Sequence, residues 1–145
     1  ETAYDPKENE TTVRLKRQQL EISHPRYHSI HISPSFRYPG ATPRRPEHID
    51  FHVQTVVKAR RLSSDLYVVF LIDRETVFLS SNRSAVKNPV RGRTWVGERL
   101  VFRMPLETFL RMANAQTAAI KMDGVRFDLK QEQMKALQDF AKAIP

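Results

Sequence analysis

Apolar and polar residues alternate from Ile49 to Gln54, and Thr55 and Val57 continue the face of Ile49, Phe51 and Val53. This period of two constrains the fold more than any other feature of the chain. Successive side chains of an extended strand point to opposite faces of a sheet, so the pattern predicts a strand with one dry face and one wet face. Such a strand needs a second layer to cover its dry face. The dry positions are Ile49, Phe51, Val53, Thr55 and Val57, and the wet positions include His48, Asp50, His52 and Gln54.

Alternating segments and one continuous apolar run predict further strands. They lie at 12–22, with an irregularity between its halves, and at 29–36, 66–72, 76–79 and 94–104. Pro34 has no N–H group to donate and is expected to stop the strand at 29–36. The run 66–72 is apolar throughout and is predicted as a central strand. The proline-rich segment 38–46 and the polar segment 80–93 are predicted as loops.

The period changes after residue 104. Apolar residues spaced by three and four predict a helix over 105–115, which opens with Pro105 because a missing N–H costs little in a first helical turn. Asp123-Gly124 stands between two alternating segments and predicts a type I′ hairpin, in which both central residues have positive φ. A second stripe predicts a closing helix over 131–143. The two stripes are Leu106, Phe109, Leu110, Ala113 and Met134, Leu137, Ala141, Ile144.

Short connections between the strands favour antiparallel pairing. The sequence therefore predicts an α+β fold that is mainly β: an antiparallel sheet or sandwich-like β domain with two helices in the C-terminal third. A single β-rich domain is predicted over 12–145, a length at which single domains are common. Residues 1–11 hold four acidic residues, one lysine and a proline, and are predicted as an N-terminal tail.

Positive charge is concentrated in the middle of the chain. The formal net charge is +8, and residues 21–61 hold seven basic and three acidic side chains, while 62–104 hold seven and four. This excess indicates either a solvated basic face with no specific partner or a surface for an anionic partner, which would be an unidentified protein or an anionic ligand of the cell envelope. Nucleic acid is the alternative, because Phe36, Tyr38, Tyr67 and Trp95 lie among arginines. The candidate contact residues are Arg44, Arg45, Arg60, Arg61, Arg91 and Arg93.

His48, Asp50 and His52 occupy one face of the predicted strand at 49–57. Two imidazoles and a carboxylate can hold zinc or iron, which makes a metal-dependent enzyme a further alternative. The alternation alone requires polar residues at these positions, so we expect the wet side of a strand and no metal. A second group, His24, His28 and His31, matches no metal-ligand spacing and is predicted as surface.

Several kinds of chemistry have no residues to carry them. The chain has no cysteine and four glycines, which excludes thiolate chemistry, disulfides and a glycine-rich phosphate loop. No Gly-x-Ser-x-Gly motif is present. Glu98 shares a face with Leu100 and Phe102, where an inward carboxylate more often forms an ion pair than acts as a general acid. The sequence favours a protein that is not an enzyme and needs no cofactor.

The ends of the domain carry a resemblance to a known group. Tyr4-Asp5, Thr11 to Arg14 and Glu98 are followed by 109–115, 120–129, Gln133, Leu137 and Phe140. Together they resemble a loosely defined group of exported bacterial proteins of unknown function, many of them periplasmic or lipid-anchored, in which a helix, a hairpin and a terminal helix close a β-rich domain. The resemblance implies an extracytoplasmic location and no specific activity.

A non-enzymatic extracytoplasmic binding domain with a basic central surface is therefore the expected function. No apolar run is long enough for a transmembrane helix. Membrane tethering through a segment before Glu1 stays open, since the given sequence does not begin with methionine.

Overall fold

A computed structural model describes residues 1–22, 24–25, 27–58, 68–79, 81–86 and 95–145. Its strands form two antiparallel sheets. The seven-stranded sheet has the order β1-β2-β4-β5-β9-β8, with β3 also paired to β4, and the four-stranded sheet has the order β11-β10-β6-β7. The elements are β1 Thr2–Asp5, β2 Glu10–Arg14, β3 Gln18–Gln19, β4 Tyr27–Pro39, β5 His48–Lys58, β6 Val68–Ile72, β7 Glu75–Phe78, β8 Ser81–Val86, β9 Trp95–Pro105, α1 Leu106–Ala113, β10 Ala118–Met122, β11 Val125–Asp128 and α2 Gln131–Lys142. The predicted α+β, mainly β class is confirmed, with both helices near the C-terminal end.

The core lies between the two sheets. Phe70 of β6 stands edge-on to Phe51 of β5 and to Phe102 of β9, with ring centroids 5.3 and 5.2 Å apart. All three rings are fully buried. The alternation of β5 is as predicted, because Ile49, Phe51, Val53, Thr55 and Val57 are buried while the positions between them are half-buried. The face of β5 that points away from the core is therefore free to carry polar groups.

The two helices close one end of the core. Phe140 of α2 packs against Phe36 of β4 and edge-on against Phe109 of α1. The backbone N–H of Lys130 donates to Gln133 Oε1 at 2.8 Å, which caps the start of α2. Gln133 Nε2 donates in turn to the carbonyl of Gln19, so α2 is tied to the seven-stranded sheet. No described helix is long and apolar enough to cross a membrane.

The β10–β11 hairpin turns as the sequence predicts. Asp123 and Gly124 have φ values of 49° and 78°, as a type I′ turn requires. Phe127 of β11 then packs edge-on against Tyr27 of β4, with ring centroids 4.9 Å apart. This contact joins the far edge of the four-stranded sheet to the seven-stranded sheet.

The segment predicted as a tail is part of the sheet. Thr2–Asp5 pairs with Glu10–Arg14, and β2 pairs with β4, so residues 1–11 begin the fold and do not precede it. The predicted loop at 80–93 is likewise wrong over Ser81–Val86, which pairs with β9. Both β1 and β8 are edge strands with polar sequences. Backbone hydrogen bonds on one side hold them, so they lack the alternation that marks buried strands.

Pro34 does not end its strand, contrary to expectation. β4 continues through it to Pro39. The carbonyl of Pro34 accepts a hydrogen bond from the Leu15 N–H at 2.9 Å, so its missing N–H also points toward the break between β2 and β3. Ser33 Oγ donates to the Leu15 carbonyl at 2.7 Å and replaces the absent donor. The proline is tolerated because its missing bond falls at an irregularity of the neighbouring strand.

Candidate anion-binding face

The outer face of the seven-stranded sheet, which points away from the core, brings together charged residues that are distant in sequence. Arg14 of β2 lies opposite Ser35 of β4, which lies opposite Asp50 of β5, which lies opposite Arg103 of β9. Two residues further along β5, His52 lies between Ser33 and Val101. Gln54, the next outward residue, lies opposite Arg99. Strand register therefore assembles this surface.

Five arginines reach over this outer face, and we call the surface that they form the basic face. Arg99 and Arg103 are both outward on β9, roughly 13 Å apart for four residues of extended chain. Arg17, in the break between β2 and β3, donates from Nη1 to Gln54 Oε1 at 3.2 Å. The five are Arg14, Arg17, Arg37, Arg99 and Arg103. Two acidic residues of the described strands, Asp50 and Glu10, lie among these arginines.

One half of the basic face is a cleft of about 720 Å³ in which positive and negative charges are nearly equal. Four arginines and three acidic residues line it, together with His48: Arg37, Arg44, Arg45, Arg103, Glu10, Glu47 and Asp50. Arg37 is 3.4 Å from Glu10 Oε1 and 3.4 Å from Asp50 Oδ2, so it bridges two carboxylates. We call this the paired cleft.

The other half is a cleft of about 470 Å³ with a clear excess of positive charge. Its charged lining consists of four cations and one acid: Arg14, Lys16, Arg17, Arg99 and Glu1. Ser33, His52 and Gln54 contribute neutral polar groups. Within the described part of the chain, no carboxylate forms an ion pair with Arg14, Arg17 or Arg99. We call this the cationic cleft.

His52 lies between the two clefts and is held in its neutral form. Burial, followed by the positive charges of Arg99 and Arg14, lowers its pKa from 6.5 to about 4, although Asp50 acts in the opposite direction. Its Nε2 is 3.0 Å from Ser35 Oγ. Its Nδ1 is buried and has no hydrogen-bond partner among the described residues. At neutral pH the imidazole therefore adds no charge to the face.

The Ser35–His52 contact is not the catalytic pair of a hydrolase. Ser35 is only 2% exposed, so its hydroxyl is out of reach of a substrate. His52 Nδ1 has no carboxylate to orient the ring, because Asp50 points to Arg37 instead. A nucleophilic serine needs an accessible Oγ and an oriented base. The pair instead fixes the ring of His52 beneath the basic face.

Arg99 is the least solvated cation of the cationic cleft. The residue is half-buried, and its Nε is buried without a hydrogen-bond partner in the part of the chain that the structure describes. The guanidinium Nε is an obligate donor, and a buried donor without a partner costs about 1–3 kcal/mol. Arg99 is therefore a half-buried positive charge that no carboxylate of the described residues neutralises.

The structure describes two of the six arginines that were predicted to bind a partner. Arg44 and Arg45 are exposed and line the paired cleft. Arg45 Nη1 donates to the carbonyl oxygen of Pro145 at 3.0 Å. Arg60, Arg61, Arg91 and Arg93 lie outside the described residues. Their role in binding stays a prediction.

The basic face is made mostly of residues that sequence reasoning did not select. Sequence reasoning selected Arg44 and Arg45 because basic residues are adjacent there in the chain. The arginines of the basic face are instead distant in sequence and close in the folded sheet. A signal was nevertheless present in the alternation, since Arg99 and Arg103 stand on the opposite side of β9 from Leu100 and Phe102. Extending that alternation to each strand would have identified the outward arginines.

The other residues considered for chemistry form no metal site among the residues that the structure describes. His48, Asp50 and His52 share the outer face of β5 and are half-buried. Among the residues described, no three His, Asp or Glu side chains come close enough to hold a metal ion. Glu98 is 3% exposed on the core side of β9, opposite the buried Thr55. Burial, helped by Arg17, lowers the pKa of His31.

Comparison with protein-family models, with curated proteins and with solved structures finds no match for this chain.

Proposed function

We propose that this chain is a non-enzymatic binding domain that holds an anionic ligand of the cell envelope against its basic face. The observation that carries the proposal is the placement of five arginines on the outer face of one sheet, with Asp50 and Glu10 as the strand acids among them. Fixed charges of one sign attract oppositely charged partners and raise the local concentration of ligand. The resemblance of the closing fifty residues to exported bacterial proteins supports an extracytoplasmic location, periplasmic or lipid-anchored.

The polar character of the outer side of β2, β4 and β5 favours an envelope ligand over single-stranded nucleic acid. Within the described part of the chain, no phenylalanine, tyrosine or tryptophan projects from the outer side of β2, β4 or β5, where Phe36, Tyr38 and Phe51 all point inward. Single-stranded nucleic acids are usually held by aromatic rings that stack on the bases. Contact through guanidinium groups alone suits phosphate or carboxylate groups at the surface of a membrane or of an envelope polymer.

Vesicle binding tests this function. We expect the protein to sediment with phosphatidylglycerol vesicles and not with phosphatidylcholine vesicles. Each arginine or lysine near an anionic surface contributes about 1 kcal/mol, so binding should weaken steeply as salt is added. The double variant Arg99→Gln/Arg103→Gln should lose most of this binding.

The control removes two positive charges from the other side of the molecule. Lys121 and Arg126 are exposed neighbours on β10 and β11 of the four-stranded sheet. Lys121→Gln/Arg126→Gln should bind vesicles as the native protein does. Equal losses in the two double variants, or no vesicle binding at low salt, contradict the proposal. Salt-dependent binding of a DNA duplex without vesicle binding would favour the nucleic-acid alternative instead.

A further inference from the structure

The two clefts of the basic face differ in a way that points to a specific ligand group. The paired cleft has three acids for four arginines, and Arg37 already bridges two of those acids. The cationic cleft has one acid for four cations, and its arginines form no ion pair within the described residues. An anion that enters the cationic cleft therefore displaces no carboxylate of the described residues from its arginines.

We propose that the cationic cleft is a binding site for a terminal phosphoryl group, with Arg14, Arg17 and Arg99 as its ligands. The site rests on the proposed function and names the group that the basic face selects. A phosphomonoester carries up to two negative charges and three terminal oxygens, whereas a carboxylate carries one charge and two oxygens. Three guanidinium groups from different parts of the chain suit the phosphoryl group, because each can donate two parallel hydrogen bonds to such oxygens.

The geometry of the cleft supports a group attached to a larger molecule. Its volume of about 470 Å³ exceeds that of inorganic phosphate and is within the range of small-molecule sites. Arg14 and Arg17 flank the break between β2 and β3, and Arg99 lies opposite Gln54, which accepts a hydrogen bond from Arg17. The three arginines thus surround one concave region of the outer face, with Arg14 and Arg17 on its β2–β3 side and Arg99 on its β9 side.

The electrostatics of the cleft favour a negative charge. Burial, followed by the positive charges of Arg99 and Arg14, lowers the pKa of the adjacent His52, although Asp50 acts in the opposite direction. A bound phosphoryl anion would oppose the effect of the two arginines and stabilise the imidazolium. His52 therefore reports on occupancy of the cleft without having to contact the ligand.

The direct test is a titration with inorganic phosphate and with glycerol 3-phosphate, monitored by calorimetry and by the NMR signals of the His52 ring. We expect saturable binding of both, and a rise in the pKa of His52 by about one unit in the bound state. Arg99→Gln should weaken binding by about tenfold or more, as expected for a charged hydrogen-bonded contact. Arg103→Gln, on the same strand and face but outside the cleft, should weaken it by less than about threefold.

Two controls keep the result clear. Thermal unfolding of each variant shows whether the fold is intact, and Arg14→Gln, at an exposed position, replaces Arg99→Gln if the latter unfolds. Vesicles of phosphatidic acid and phosphatidylglycerol distinguish the source of the group, because only the first has a terminal phosphomonoester. A preference for phosphatidic acid indicates a lipid headgroup, and binding of glycerol 3-phosphate without that preference indicates a phosphorylated small molecule.

The inference fails if neither phosphate probe binds saturably, if the two arginine variants lose binding equally, or if the pKa of His52 is unchanged at saturation. Binding to phosphatidylglycerol vesicles can persist in each of these cases. That result would leave the proposed function standing and remove only the phosphoryl site. Saturable phosphate binding without any vesicle binding would contradict the proposed function and leave the phosphoryl site standing.

Discussion

The paired and cationic clefts lie side by side on one sheet face, hold four cations each, and differ in how those cations are neutralised. Arg37 in the paired cleft contacts both Glu10 and Asp50. Arg14 and Arg99 in the cationic cleft form no such ion pair within the described residues. Counting basic residues would rank the two regions equally. The comparison shows that the ion pairing of the basic residues, and not their number, decides which cleft attracts an anionic ligand more strongly.

The difference follows from strand register. Asp50 on β5 faces Ser35, and Arg37 is two residues further along β4, within reach of both Asp50 and Glu10 on β2. Two residues further in the opposite direction along β5, the outward position is His52, which is kept neutral. Asp50 and Glu10 therefore both pair with Arg37 in the first region, whereas no acidic residue of the described strands lines the second.

The largest expected effect is the loss of anion binding on charge reversal in the cationic cleft. Arg14→Glu should weaken binding of glycerol 3-phosphate by about 30-fold or more, since it removes a charged contact and adds repulsion. Arg37→Gln, which removes one positive charge from the paired cleft, should alter binding by less than about threefold because Arg37 is already engaged. Calorimetry on both variants measures this. Equal losses would show that the two clefts act as one diffuse field.

A smaller effect is expected on stability as pH falls. The folded pKa of His52 is about 4, below the 6.5 of the unfolded chain, so between these values the unfolded state binds more protons. Stability contributed by the neutral ring is complete above about pH 6.5 and is lost as pH falls toward 4, by about 1–2 kcal/mol after allowance for partial solvent exposure. The groups that face the ring are Asp50, Ser35, Arg14, Arg37 and Arg99.

Urea unfolding of the native protein and of His52→Gln, from about pH 7 to about pH 4.5, measures this effect. The variant should lose less stability over that range than the native protein. Parallel curves for the two proteins would mean that His52 titrates normally and that the arginines do not act on it.

A still smaller effect is expected when the acid of the paired cleft is removed. Asp50→Asn leaves Arg37 with Glu10 alone and removes the charge that raises the pKa of His52. Binding of anionic vesicles should increase by about two- to threefold, the scale of a partly exposed ion pair. Vesicle sedimentation at several salt concentrations measures the change. Weaker binding would show that Asp50 positions an arginine that the ligand needs.

The smallest expected effect is that of zinc. His48, Asp50 and His52 share a face, but Asp50 is paired with Arg37 and His52 Nε2 with Ser35. We expect zinc to leave the melting temperature of the native protein unchanged, and likewise that of the His52→Ala variant. A metal bound only by the native state at 100 times its Kd would stabilise by about 2.7 kcal/mol. A zinc-dependent rise that His52→Ala abolishes would restore the metal hypothesis.

The sequence predicted the parts of this fold that burial imposes. β5, α1, α2 and the Asp123-Gly124 turn follow from apolar period and from the need for positive φ, both of which are local properties. The edge strands β1 and β8 carry no such signal, because pairing on one side places no apolar demand on their side chains. The prediction that Pro34 ends its strand was wrong for a related reason. The effect of a proline depends on which neighbouring strand its missing N–H faces, and the sequence does not show this.

The candidate site was harder to predict than the fold. Arg14, Arg37 and Arg99 become neighbours only through the order and register of β2, β4, β5 and β9. Neither property can be read from one sequence without knowing which strands pair. Adjacent arginines such as Arg44-Arg45 attract notice in the sequence, but one of the paired cleft's acids, Glu47, lies only two residues from them.

The two sides of the cationic cleft belong to parts of the chain that are attached very differently. Arg99 stands on β9, which is paired on both sides, whereas Arg14 and Arg17 belong to a segment whose ladder is interrupted opposite Pro34. A ligand that bridges these arginines would act as a clamp, and its binding energy would add to the hydrogen bonds that hold the first strands in place. Backbone amides of β1 and β2 should then exchange with solvent more slowly in the bound protein, while those of β5 are unaffected.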